Sequence, residues 1–338
     1  MHTKDDRSDE RIQPRDAAPF GATAPAPLFR DPIYDGAADP TIIWSTHERL
    51  WWMLYTQRRA TVEGPGHAWF FGTQVGVASS ENGRNWCYRG TLNLALEPGH
   101  NTFWAPEVIY HEGVYHMFVS YIRGIPADWA GQRHIVHFSS SDLWHWTHRR
   151  TLKLTSDMVI DACVLRLESG VFRMWYKDEA HGSHTYAADS WDLETWHLRG
   201  RTLADCAHEG PNAFRFDGRY WLLTDPWDGL GVYVSDDAEN WQRQPNILAA
   251  AGSRSSDETG ANHADVLVHG ERAFVFYHVH PSWNRADHQG ECPLYMPESM
   301  RRSVIQVAAL KVVHGQLTCD RNAALAIDLA QAGSGVVR

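Results

Sequence analysis

Short aromatic and β-branched stretches recur along the chain, separated by Gly, Asp and Asn. TIIW, LWWMLYT, QVGVASS, EVIY, VYHMFVSY, HIVHFSS, CVLRL, VFRMWYK, NAFRF, RYWLLTD, GVYVSDD, DVLV, RAFVFYHV and VIQVAAL are among them. Runs of this kind, bounded by turn residues, predict strands, and no amphipathic helix longer than two turns is evident. The strands repeat in a fixed order. A hairpin comes first, as in VIYHEGVYHMFVSY, VLRLESGVFRMWYK, AFRFDGRYWLLTD and VLVHGERAFVFYHV, with IIWSTHERLWWMLYT as the earliest copy. A strand then ends in small residues, an acidic or Asn turn and a Trp, as in GVASSENGRNW, HFSSSDLWHW, YAADSWDLETW and VYVSDDAENW. Those Trp residues are 86, 146, 196 and 241, so the spacings of 60, 50 and 45 residues suit one propeller blade each. Five hairpins, starting near residues 42, 108, 164, 213 and 266, predict an all-β, five-bladed β-propeller. The N-terminal strand is expected to close the last blade. Residues 1–27 read as a polar, then Ala- and Pro-rich arm, 28–325 as a single propeller, and 326–338 as a loose tail.

Composition narrows the function. The net charge of -10 argues against a nucleic-acid or anionic-membrane partner. No run of about 18 apolar residues is present to span a bilayer. Five Cys without a CxxC spacing, and an N-terminus without an apolar core, suggest reduced thiols and a cytoplasmic protein. Sixteen Trp suit sugar stacking, although any single Trp is as readily a core residue.

The innermost strand of each blade starts at the central channel, so residues just ahead of each hairpin should converge. They read AADPTIIW (Asp39), FWAPEVIY (Trp104, Glu107), VIDACVLR (Asp161), HEGPNAFRF (Glu209) and GANHADVLV (His263). Three acids in register is more than scattered surface charge would give. Carboxylates gathered in a channel repel, which raises one pKa and leaves another group ionised, as acid/base chemistry on a glycosidic bond requires.

The order DPTII, WAPE, VIDACVL, EGP and GANHADVLV with FYHV, over roughly residues 28–318, resembles glycoside hydrolase family 43 and its wider five-bladed clan. The resemblance implies a glycosidase with Asp39 as general base, Asp161 orienting the acid and tuning its pKa, and Glu209 as general acid. It also implies an axial His263 beside a water or a structural calcium ion. An Arg to the sugar hydroxyls is expected from Arg301 or Arg302, with Arg301 preferred. Trp104 is a candidate sugar contact, and Glu107 either a sugar-binding acid or a buried cap. His208 is expected to point away from the site. No cofactor is required. By resemblance the substrates are arabinofuranosides or xylosides, cut from a chain end with inversion, as short oligosaccharides.

Other readings remain open at this point. A related propeller glycosidase would act on an anhydrogalactoside or galactofuranoside. A glycoside phosphorylase needs one carboxylic acid and a basic phosphate pocket, and a sugar-binding propeller needs neither. His278 and His280 share a strand face and would suit a zinc site, but no HExxH or Cys/His set accompanies them. The His- and Arg-rich segment 281–300 departs from the family pattern and reads as a lid. The arm suggests a homodimer.

Overall fold

A strand buried on both faces shows little alternation, and this explains why so many segments here read as near-continuous apolar runs. The structure, a computed structural model, describes residues 23–283 and 295–329. It forms five four-stranded antiparallel sheets in chain order. Blade 1 holds β1 (Ala37–Ser45), β2 (Leu50–Gln57), β3 (Gln74–Ser80) and β4 (Cys87–Thr91). Blade 2 holds β5 (Thr102–His111), β6 (Val114–Ile122), β7 (His134–Ser140) and β8 (Thr147–Thr151). Blade 3 holds β9 (Val159–Arg166), β10 (Phe172–Asp178), β11 (His184–Ser190) and β12 (His197–Leu203). Blade 4 holds β13 (Glu209–Phe216), β14 (Arg219–Asp225), β15 (Leu230–Ser235) and β16 (Gln242–Ile247). Blade 5 holds β17 (Asn262–His269), β18 (Arg272–Val279), β19 (Val304–Val313) and β20 (Gln316–Cys319). The five-bladed propeller read from the sequence is therefore the fold.

The core lies in the seams between blades. Trp51 and Trp52 are neighbours on β2 and point to opposite faces, as strand geometry demands. Trp51 packs with Phe274 and Phe276 in the seam between blades 5 and 1, and Trp52 with Val108 and Met117 in the seam between blades 1 and 2. Each seam has its own cluster, including Phe118 with Met174, Trp175 with Tyr233, and Trp221 with Val275.

The rim turns repeat as expected. In blades 1 to 4 a Ser hydroxyl at the strand end accepts the N–H two residues on, from Asn82, Asp142, Asp192 and Asp237. The next residue takes the left-handed conformation (Gly83, Leu143, Leu193, Ala238), and in three of these turns it buries a side chain under the turn.

Closure differs from expectation. All four strands of blade 5 come from the C-terminal part of the chain. The N-terminal segment instead makes isolated bridges, Phe29 to Ile305 and Gly36 to Ser303, along the part of β19 that short β20 leaves uncovered. The packed body also extends past both expected boundaries. Ala24 donates to Leu325 O, and Ile327 and Leu329 are fully buried, with Trp51 Nε1 donating to Leu329 O at 3.0 Å. The expected dimer contact falls mainly on residues 1–22, outside the described residues.

Candidate active site

Every innermost strand carries a register break where it enters the channel. A bulge adds residues to one strand and re-aims the side chains around it. The bulge residues Asp39, Ala105, Asp161 and Gly210 have φ of 47°, 45°, 58° and 56°. Left-handed backbone is costly for residues other than Gly, Asn and Asp, so these positions are held there by the surrounding fold. Asp39 and Asp161 are thus true structural equivalents. Glu209 is not in register with them; it stands one position earlier, where blade 2 has Trp104. The bulge position after it is Gly210, because a Cβ there would meet the His263 ring at 2.7 Å.

All three acids, with Trp104 and His263, line one cavity of about 520 Å³ at the channel mouth. His263 Nδ1 lies 3.7 Å from Asp39 Oδ1 and 3.9 Å from Asp161 Oδ2, between the two carboxylates. Arg58 donates to both oxygens of Asp39, at 3.2 and 3.3 Å. Gly210 N–H donates to Asp161 Oδ2 at 3.1 Å, so Asp161 fixes the backbone beside Glu209. Glu209 accepts from Lys177 Nζ and from Trp227 Nε1, both at 2.9 Å. Asp225 pairs across the sheet with Glu209 and accepts the N–H groups of Trp227 and His263, at 2.7 and 2.9 Å.

Loops build an aromatic wall. The β2–β3 loop supplies Phe70 and Phe71, and the β6–β7 loop supplies Trp129. Phe70 and Phe71 lie 5.2 and 5.6 Å from Trp129, ring to ring, and His67 N–H donates to Ala127 O to join the two loops. Trp104 is mostly buried beneath, with Nε1 donating to Phe70 O at 2.6 Å.

No family model matches the sequence, and no curated protein matches it. Solved structures do match. A thermostable family-43 glycoside hydrolase superposes with a TM-score of 0.65 at 20% identity, covering 86% of this chain and 96% of the other. A family-43 β-1,3-galactosidase with bound galactodeoxynojirimycin gives 0.63 at 16%, covering 88% and 97%. A family-43 enzyme from Xanthomonas citri with xylotriose gives 0.60 at 14%, covering 88% and 94%. The fold is the one these glycoside hydrolases share.

The site's electrostatics depart from expectation. Burial would raise Asp39, but the charges of Arg58 and His263 outweigh it and hold the acid below its ordinary value. Asp161 rises to about 6: burial leads, and repulsion from Glu209 and Asp39 adds to it against the pull of His263 and Lys177. The tuning expected of Asp161 on Glu209 would, by like charge, be upward. Burial does push it upward, but the Lys177 ammonium on its carboxylate pulls harder and brings it down to about 2. Asp225 rises to about 7, through burial and then the Glu209 charge. Burial and the Arg58 charge keep His278 and His280 neutral, His280 near 3. Arg58 can only donate, so His280 Nε2 accepts from it at 3.1 Å and Nδ1–H donates to Arg302 O at 3.0 Å.

Two expected sugar contacts lie elsewhere. Glu107 does not line the cavity. It sits two residues past the bulge, buried, with Oε1 accepting Val164 N–H at 2.9 Å, so it is a tie between blades 2 and 3. Arg301 is not on a strand; it ends a single helical turn, α1 (Glu298–Arg301), and donates to Val62 O at 2.8 Å. Neither it nor Arg302, which pairs with Asp35, lines the cavity; among the described residues the arginine there is Arg58. His208 does face away, held by Thr185 and Cys206 O at 2.7 and 3.0 Å. Calcium takes six to eight oxygen ligands. Beside His263, Asp39 accepts from Arg58 through both oxygens and Asp161 accepts Gly210 N–H through Oδ2, so a calcium ion there would take most of its shell from water. Among the described residues, three-ligand clusters of metal-binding type occur only at His116/His137/Glu194 and Asp205/Cys206/His208, away from His278 and His280.

Lys177, Asp225, Arg58 and Trp227 escaped the sequence reading. All lie on second strands or the turns after them, whereas the repeated acids stand at the start of first strands. One signal was available: MLYTQRR in blade 1 and MWYKDE in blade 3 run the second hairpin strands into cations, Arg58 and Lys177.

Proposed function

We propose that the protein is an inverting glycoside hydrolase that removes single sugars from the ends of short oligosaccharides. The observation that carries this reading is the meeting of Asp39, Asp161 and Glu209, with His263 between the first two, in one aromatic-walled cavity. Asp39, kept ionised by Arg58, takes a proton from the attacking water. Glu209, protonated during turnover, gives a proton to the glycosidic oxygen as the bond breaks. Asp161 holds Gly210 N–H, and so keeps the Glu209 carboxyl aimed at the scissile bond. Inversion requires room for that water between acid and base, about 6.5–9.5 Å. No cofactor enters the scheme.

Walls on several blades favour a pocket over an open groove, and hence cleavage from a chain end. Arabinofuranosides and xylosides lead the substrate candidates, and the xylotriose held by one structural neighbour supports the pentose reading. The galactose-like inhibitor in another keeps galactosides in the test. A phosphorylase is disfavoured because the two cations that line the cavity among the described residues are already paired, Arg58 with Asp39 and Lys177 with Glu179 and Glu209. The test is a panel of nitrophenyl glycosides differing in sugar and anomer, with product configuration read by NMR. Turnover of one glycoside without phosphate, with the anomer inverted in the first product formed, is expected. Retention, a phosphate requirement or binding without turnover would overturn the reading.

A further inference from the structure

The second strand of each blade places one residue opposite the first-strand bulge: Thr56, Ser120, Lys177, Asp225 and His278. Four of them accept the bulge N–H of the next blade. Thr56 takes Ala105 N–H (2.8 Å), Ser120 takes Asp161 N–H (3.0 Å), Asp225 takes His263 N–H (2.9 Å) and His278 takes Asp39 N–H (3.3 Å). Lys177 has only donors and cannot do this. Its share of the ring is taken over by Asp161, which accepts Gly210 N–H. The fold therefore gives up one structural acceptor at the single place where the side chain reaches Glu209.

Lys177 is buried and bridges two acids, with Nζ 2.9 Å from Glu209 Oε2 and 3.0 Å from Glu179 Oε1. The other Glu179 oxygen is 3.0 Å from Arg133, whose guanidinium also donates to Trp129 O at 2.6 Å. Glu209 Oε1 accepts the Trp227 indole N–H. Both Glu209 oxygens thus face donors, and an acidic proton on Oε2 would point at the ammonium.

We propose that Lys177 is a movable counter-ion, a positioning residue that docks on Glu209 in the empty site and closes on Glu179 to let Glu209 take up the proton it donates. This rests on Glu209 being the general acid. The cycle balances. A proton from water adds to Glu209 Oε2 as Lys177 shifts its ion pair to Glu179. Glu209 then passes that proton to the glycosidic oxygen, which leaves with the electron pair of the broken C–O bond. Asp39 takes a proton from the attacking water and returns it to solvent, and Lys177 closes again on ionised Glu209. The depressed pKa of Glu209 agrees with the docked state. Among the described residues, the other charged or titratable groups around the pair are Asp161 on β9, His208 just before β13, Asp225 on β14, His263 on β17, His278 on β18, and Arg133 behind Glu179.

The test is kcat/KM against pH on the preferred nitrophenyl glycoside and on its methyl glycoside, which needs acid help. Lys177→Met should move the alkaline limb on the methyl glycoside upward by about one pH unit or more, the usual size of an opposite-charge effect. Lys177→Arg should keep the wild-type limb, and Glu179→Gln, which removes the second seat, should move it downward. An active Lys177→Met with the wild-type limb overturns the proposal. If Lys177→Met fails to fold, an unmoved limb in Glu179→Gln overturns it instead. Glu209→Ala is run in parallel. A loss confined to the methyl glycoside upholds the acid role and leaves the Lys177 variants to decide. Equal losses on both substrates overturn the acid role and this proposal with it.

Discussion

Asp39 is buried and Glu209 half-buried, and the cation each one meets separates their states. Arg58 grips Asp39 through both oxygens, and a guanidinium never gives up its charge, so Asp39 stays a base at working pH. Lys177 holds Glu209 through one oxygen on a flexible stem that also reaches Glu179. The two proposed roles, base for Asp39 and acid for Glu209, predict different responses to the leaving group. Glu209→Ala should keep far more activity on a nitrophenyl glycoside than on a methyl glycoside, because a leaving group of low pKa departs unaided. Asp39→Asn should lose activity on both alike, by about a hundredfold or more, since every substrate needs the water activated. Initial rates on the matched pair decide it, and the same leaving-group dependence in both variants would reverse or remove the assignments.

The bulge is the element that turns five similar hairpins into a site. In blades 1 to 4 it lifts one residue of the first strand into left-handed backbone and turns its neighbours toward the cavity. Asp tolerates that conformation better than most residues, since its short side chain bonds locally. Gly210 shows the constraint most sharply. Its φ is 56°, and a Cβ would strike the His263 ring at 2.7 Å. Gly210→Ala should therefore cost about 2–4 kcal/mol, from backbone strain together with overpacking. The denaturation midpoint measures this, and a loss below about 0.5 kcal/mol would contradict the close approach. Past the bulge, Glu107, Cys163, Asn212 and Asp265 turn inward and accept the N–H groups of Val164, Ala213, Val266 and Ile42 on the next blade. That inner tier explains why Glu107 looks like a site residue in the sequence yet is a fastening between blades.

Across the whole molecule, closing the ring forces several carboxylates into one buried space, and stability must then depend on pH. Asp161 and Asp225 have folded-state values of about 6 and about 7, above the ordinary range. The native state therefore binds more protons than the unfolded chain over this interval. Their contribution to stability is fully present below the unfolded value near 4 and is lost as pH rises through about 6 and 7. Asp39, shifted the other way, contributes above the ordinary carboxylate range and loses its share only in stronger acid. His278 and His280, held neutral, act in the opposite sense and favour the fold as pH rises through the ordinary imidazole range. Comparison isolates the share of Asp161: the melting temperature of Asp161→Asn, neutral throughout, should gain on that of the wild type from pH 5 to pH 8, and an unchanged difference would refute the account.

The blades were legible in the sequence because strand period, hairpin turns and Ser-x-Asp rim turns are local signals, each written within a few residues. Asp39, Asp161 and Glu209 were legible because each stands just ahead of a repeated hairpin, and radial symmetry brings such positions together. Closure was misread because the pairing of Phe29 with Ile305 joins residues far apart in sequence, with no local mark. Arg301 was misplaced because a single helical turn, α1, interrupts what reads as strand. Only the tertiary structure decided the one-residue offset of Glu209, the inward turn of Glu107, and the meeting of Arg58 with Asp39 and of Lys177 with Glu209. Those contacts depend on bulge geometry and on neighbouring blades, and both come into being only when the ring has closed.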